Sequence, residues 1–144
     1  MKKHPGTTMA MALLFTGILA AQPIGPDRVS RTISDCRART GEFRASLRHA
    51  MEHSSLKWTE REHQLDKDAN RMERAVNKLH ETWNLEHKMH RSREHASAAI
   101  AAAQDINRAM LSHRFNPDVH RQWDVVRGEL NHVAEVFALP RIRW

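Results

Sequence analysis

Val119, Trp123, Val126, Leu130, Val133 and Phe137 are spaced four and three residues apart in alternation, and two earlier stretches repeat that rhythm. One is Val29, Ile33, Cys36, Thr40, Phe43, Leu47 and Ala50; the other is Leu65, Ala69, Met72, Val76, Leu79 and Trp83. Such spacing lines apolar residues along one stripe of an α-helix, so each segment must cover its stripe against another helix. The pattern restricts the chain to an all-α architecture built by helix packing.

Helix boundaries follow from turn and cap chemistry. The first helix is predicted from Asp27 or Arg28 to about His53, with Gly41 costing about 1 kcal/mol relative to alanine inside it. Ser54 and Ser55 break it. Thr59 and Glu62 form a capping box that satisfies the first free N–H groups of a second helix running to about Met89. At near 30 residues this second helix is the longest element, about 45 Å at 1.5 Å per residue. Ser92 is the expected cap of a third helix, from Arg93 to about Ser112. Its middle carries Ala96, Ala98, Ala99, Ala101, Ala102 and Ala103, with Ile100, Ile106 and Met110 as larger anchors. Asn116-Pro117 reads as an N-cap followed by proline at the first helical position, where a missing N–H costs nothing. The fourth helix then spans about Pro117 to Ala138, interrupted only by Gly128, and Pro140 stops it.

Short connections make consecutive helices antiparallel. The expected fold is an antiparallel up-down four-helix bundle, with a three-helix bundle or a hairpin that dimerises through the second helix as the competing architecture. Residues 28–139 form the bundle, 22–27 an extended lead-in containing Pro23, Gly25 and Pro26, and 140–144 a C-terminal tail in which Trp144 either packs on the bundle end or stays exposed.

Residues 1–21 read differently. Lys2, Lys3 and His4 precede an apolar run from Met9 to Ala21, the charge, apolar length and small-residue ending of a secretory signal peptide. The run falls short of the ~20 apolar residues that span a bilayer, so no transmembrane helix is expected in the mature chain. Cleavage after Ala21 or after Gln22 both fit imperfectly. Removing the leader takes Lys2 and Lys3 from the 23 basic residues and none from the 17 acids, leaving a net charge of +4. Charges alternate in sign, as on solvated helix faces, and Arg28, Arg31, Arg37, Arg39, Arg44 and Arg48 interleave with Asp35, Glu42 and Glu52. No block of like charge points to nucleic acid. The single cysteine, Cys36, allows no internal disulfide, and its place in an apolar stripe makes it a structural thiol rather than a nucleophile. No Cys-x-x-Cys-His, phosphate loop or nucleophile elbow is present. The expectation is a periplasmic or secreted protein without catalysis, partnered by an envelope protein or by itself.

Eleven histidines are the one hint of chemistry. Glu60-x-x-His63 and Glu129-x-x-His132 match the Glu-x-x-His element of di-iron bundles. The stripes place Glu62 and Trp58 inward ahead of Leu65 and Ala69, which leaves Glu60 and His63 outside, and Leu130 and Val133 inward, which leaves His132 in water. A buried di-metal centre is therefore not expected. A surface site is the rival to solvated helix ends. Antiparallel packing gathers His49, His53, His63, His113 and His120 at one end of the bundle and His87, His90 and His95 at the other. Glu86 and His90 continue the inward stripe beyond Trp83, and Glu94 opens the next helix nearby. Glu86, His87, His90, Glu94 and His95, or separately His49 and His53, supply imidazole and carboxylate ligands suited to zinc or copper. The favoured reading of both groups is solvated helix ends, where histidine complements the helix dipole.

The order of features from Phe43 onward resembles a family of uncharacterised small exported bacterial helical-bundle proteins. The resemblance rests on Phe43-Arg44-x-Ser46-Leu47, the Leu65 to Trp83 seam and Ala109-Met110-x-x-His113-Arg114-Phe115. Its most specific piece is Trp123-x-x-Val126-Arg127-x-Glu129-Leu130-Asn131-x-Val133-Ala134. It covers about two thirds of the chain and implies a secreted all-helical domain; the family has no established activity, so no catalytic or binding residue carries over.

Overall fold

Each apolar stripe becomes the buried face of a helix. The computed structural model describes residues 23–143, so the leader and Trp144 lie outside the described residues. The helices are α1 (Pro26–Glu52), α2 (Glu60–Glu86), α3 (Met89–Ser112) and α4 (Pro117–Val136). α1 packs on α2 and α4, and α3 on the same two helices, which closes a four-helix bundle. Its antiparallel sense is visible in the pairs that cross it. Along α1 and α2, the Trp83 indole donates to Ser30 Oγ at 2.8 Å, Arg37 Nε to Asn77 Oδ1 at 2.9 Å, and Arg44 meets Glu73 at 3.3 Å. Between α3 and α4, Trp123 bonds to Asn107 and Arg93 donates to the Phe137 carbonyl.

The core is the sum of the stripes. Val29, Ile33, Cys36, Phe43 and Leu47 of α1 and Leu65, Ala69, Met72, Val76, Leu79 and Trp83 of α2 are buried. From α4, Val119, Trp123, Val126, Leu130 and Val133 join them, and Phe137 closes the end. The Phe43 and Trp123 rings meet at 5.1 Å in the middle of the bundle, tilted by 46°. The alanines of α3 divide: Ala96, Ala99, Ala102 and Ala103 are buried, whereas Ala98 and Ala101 face water. Small residues on that buried face let α3 approach its neighbours closely.

Caps explain most of the ends. Thr59 Oγ1 accepts from the Glu62 N–H, and Asn116 Oδ1 from the Val119 N–H, as the sequence pattern requires. The other half of the capping box is displaced: the Glu62 carboxylate accepts from the Trp58 N–H, while the Thr59 N–H donates to the Leu56 carbonyl. The α2–α3 connection differs from expectation. α2 stops at Glu86 because His87 takes a left-handed conformation (φ 49°), and its N–H caps the Trp83 carbonyl. With Lys88 as N-cap, α3 starts at Met89, and Ser92 lies buried inside the helix instead of capping it. The turn also takes His90 off the inward stripe and into solvent.

α4 ends earlier than Ala138. Ala138 is left-handed (φ 52°), and the Leu139 N–H bonds to the Ala134 carbonyl at 2.8 Å. This is the usual left-handed helix stop, made here by alanine where glycine carries no Cβ penalty. The tail then turns back. Asn131 exchanges two hydrogen bonds with the Ile142 backbone (2.8 and 3.2 Å), and the Ile142 side chain is buried.

Two side chains sit opposite to expectation. Trp58, placed inward by the stripe, is 89% exposed, because the Leu56–Thr59 turn breaks the helical phase and Leu56 fills the core position. Arg44, counted among solvated arginines, is buried, its guanidinium held by Glu73 and by Asp66 at 3.4 Å. Its long stem lies against the core while the charged head is neutralised at the edge.

Candidate metal-binding cluster and exposed turn

Among the described residues, one group of three potential ligands converges: His49, Glu52 and His53, whose ligand atoms all lie within 4.8 Å of one another. The helix places them there. Residues i, i+3 and i+4 share a face, so the last turn of α1 projects all three side chains together. The two imidazoles stand 4.5 Å apart, centre to centre. His53 Nδ1 lies 2.9 Å from the His49 carbonyl oxygen. A carbonyl only accepts, so in the neutral imidazole this nitrogen carries the proton and Nε2 keeps its lone pair. The pair His49 and His53 was legible as two imidazoles on one face. Glu52 between them was missed, although the spelling His49-x-x-Glu52-His53 shows it.

Antiparallel packing brings further histidines to this end. His113, in the α3–α4 connection, lines the same hollow of about 380 Å³ as His49 and His53, and its ring meets Phe115 edge-on at 4.7 Å. The His120 ring lies 6.3 Å from that of Phe115. His63 faces an adjacent hollow with Glu52 and Trp58.

At the other end, Glu86, His87, His90, Glu94 and His95 do not draw into a comparable set among the described residues. Glu86 is tied to Arg91 at 2.9 Å, and the His87 ring lies 5.3 Å from that of Trp83. His90 and Glu94 line a small hollow with Arg93 and Ser97. Of the two Glu-x-x-His elements, Glu60 and His63 are exposed, and His132 stays in water 3.6 Å from Glu129.

Elsewhere, burial shifts a thiol and an imidazole. Burial pushes the Cys36 thiol up to about 12; the neighbouring Thr40 hydroxyl opposes the rise and the Glu129 charge adds to it. At that value the thiol stays protonated and unreactive near neutrality. Burial, and then the Arg37 charge, hold the His80 imidazole below its ordinary range.

The second distinctive feature is the turn between α1 and α2. Trp58 has φ 68°, a conformation in which a bulky side chain is a genuine outlier costing on the order of 1–3 kcal/mol. Several bonds hold it. The Trp58 N–H donates to the Glu62 carboxylate, Thr59 Oγ1 donates to the Leu56 carbonyl at 2.5 Å, and buried Leu56 anchors the turn from below. Lys57 Nζ lies 5.5 Å from the indole centre. Sequence periodicity could not find this site, since the turn abolishes the period that defined the stripe.

No protein-family model, curated protein or solved structure matches the chain.

Proposed function

We propose that this is an exported, non-enzymatic helical bundle that acts through its surface, as a structural or protein-interaction domain of the periplasm or cell envelope. The observation that carries the reading is Trp58: a large aromatic residue, strained in its backbone, held almost wholly in solvent. An apolar ring displayed at that cost contributes nothing to the core, and tryptophan is the residue most enriched among binding hot spots. Around it lie Arg48, Glu60 and His63, a polar surround for an aromatic anchor. The partner is an envelope protein or a second copy of the chain, not nucleic acid. Export is supported by the leader pattern of residues 1–21, and no helix among the described residues is long and apolar enough to cross a membrane.

A photoreactive group at Lys57, adjacent to Trp58, tests the reading in the native envelope. A discrete adduct that disappears on Trp58→Ser is the expected result. A chain that sediments as a monomer and forms no Trp58-dependent adduct refutes it. Intact mass of the exported chain checks the leader, with cleavage after Ala21 or Gln22 expected and an uncut chain in the cytosol refuting export.

A second reading, a histidine-rich protein that binds or buffers zinc or copper, is favoured by one observation: the convergence of His49, Glu52 and His53.

A further inference from the structure

We infer that His49, Glu52 and His53 form a binding site for one divalent transition-metal ion at the C-terminus of α1, and that Cu²⁺ occupies it more tightly than Zn²⁺. The inference rests on the metal-binding reading and gives that reading a place and a ligand set.

Three independent features meet there. The first is distance. Ligand atoms around a zinc ion, each about 2.0–2.2 Å from it, are roughly 3–4 Å from one another. The three groups already lie within 4.8 Å, so side-chain rotation closes the shell with no movement of the helix. The second is the outer support. The His53 Nδ1 contact with the His49 carbonyl fixes the tautomer and leaves Nε2 available, which is the arrangement that orients metal-binding imidazoles. The third is the field of the helix. α1 ends at Glu52, and the carbonyl ends of the helix dipole carry partial negative charge that favours a cation.

The order His-x-x-Glu-His also occurs in zinc hydrolases, where the glutamate acts as a base on metal-bound water within a cleft. Here all three side chains are exposed at the end of a helix, and the Glu52 carboxylate lies with both imidazoles. That placement makes Glu52 a ligand, and the site one for binding. Two imidazoles and a carboxylate accept both ions, and for a given nitrogen and oxygen donor set affinity rises to Cu²⁺ and drops at Zn²⁺. His113 flanks the same hollow, and water completes the shell.

The test is calorimetric titration of the tag-free purified chain with CuCl₂ and with ZnCl₂, beside His49→Ala, His53→Ala and the double variant His87→Ala/His90→Ala. All four substituted side chains are exposed, and far-UV circular dichroism verifies that each variant is folded. The expected result is one Cu²⁺ bound tighter than millimolar, Zn²⁺ bound more weakly, and affinity reduced at least about tenfold by either α1 substitution. The double variant binds as the parent does. If the parent binds neither ion, this site and the metal-binding reading both fall. If the parent binds Cu²⁺ and the His49 and His53 variants bind it equally well, the site is wrong while the reading stands.

Discussion

Asn107 makes a buried polar joint between α3, α4 and the tail, and its removal has a predictable consequence. Its side chain is 4% exposed; Oδ1 accepts from the Trp123 indole N–H at 2.9 Å, and Nδ2 donates to the Arg143 carbonyl at 2.8 Å. One residue thus joins α3 to α4 and to the returning tail. Asn107→Leu keeps the volume and deletes both bonds. Arg143 is exposed, so its carbonyl turns to water and costs about 0.5–1.5 kcal/mol. Trp123 is fully buried, and its orphaned N–H costs about 1–3 kcal/mol. The added apolar surface of leucine offsets part of this, which leaves a net loss of about 2–3 kcal/mol. Urea unfolding followed by circular dichroism reads that as a midpoint lowered by about 1 M, with the slope unchanged. Trp123→Phe supplies the decisive comparison, because phenylalanine has no N–H to orphan. The double variant is expected to be about 1–3 kcal/mol more stable than the sum of the single effects requires. Additivity to within about 0.5 kcal/mol would show that the indole bond does not clamp the helices.

Four further outcomes follow from backbone and burial. Gly41→Ala, whose new Cβ meets nothing within 4 Å, and Ala138→Gly, which relieves a left-handed alanine, each raise stability by about 1 kcal/mol in thermal unfolding. A loss in either refutes the local geometry. Trp58→Gly is expected to raise stability by up to about 1 kcal/mol while removing the Lys57 cross-link; a clear destabilisation would mean that the indole packs rather than protrudes. Cys36 is expected to resist thiol reagents in the native protein near neutrality and to react only on unfolding. Its folded value of about 12 lies above the ordinary 9.0, so the folded state holds the proton more firmly. The stability from this group is therefore complete below about pH 9 and is lost as pH rises toward 12. Rapid labelling of the native chain at neutral pH would overturn the burial.

By itself the sequence determined the all-α class, the three periodic stripes and the Thr59 and Asn116 caps. These depend on interactions within three or four residues, and side-chain identity specifies them locally. The i, i+4 placement of His49 and His53 was legible for the same reason. What only the tertiary structure decided lies where the period breaks or where distant elements meet. The left-handed turn at His87 sent His90 outward and left the Glu86 cluster unassembled, and the Leu56–Thr59 turn exchanged Trp58 for Leu56 in the core. Arg44 was drawn inside by carboxylates on another helix, and Asn107 and Asn131 found partners in a tail that carries no periodic signal. A helix repeats, so its few residues predict the next. A turn or a long-range contact does not repeat, and its outcome depends on which surfaces the packed helices bring together.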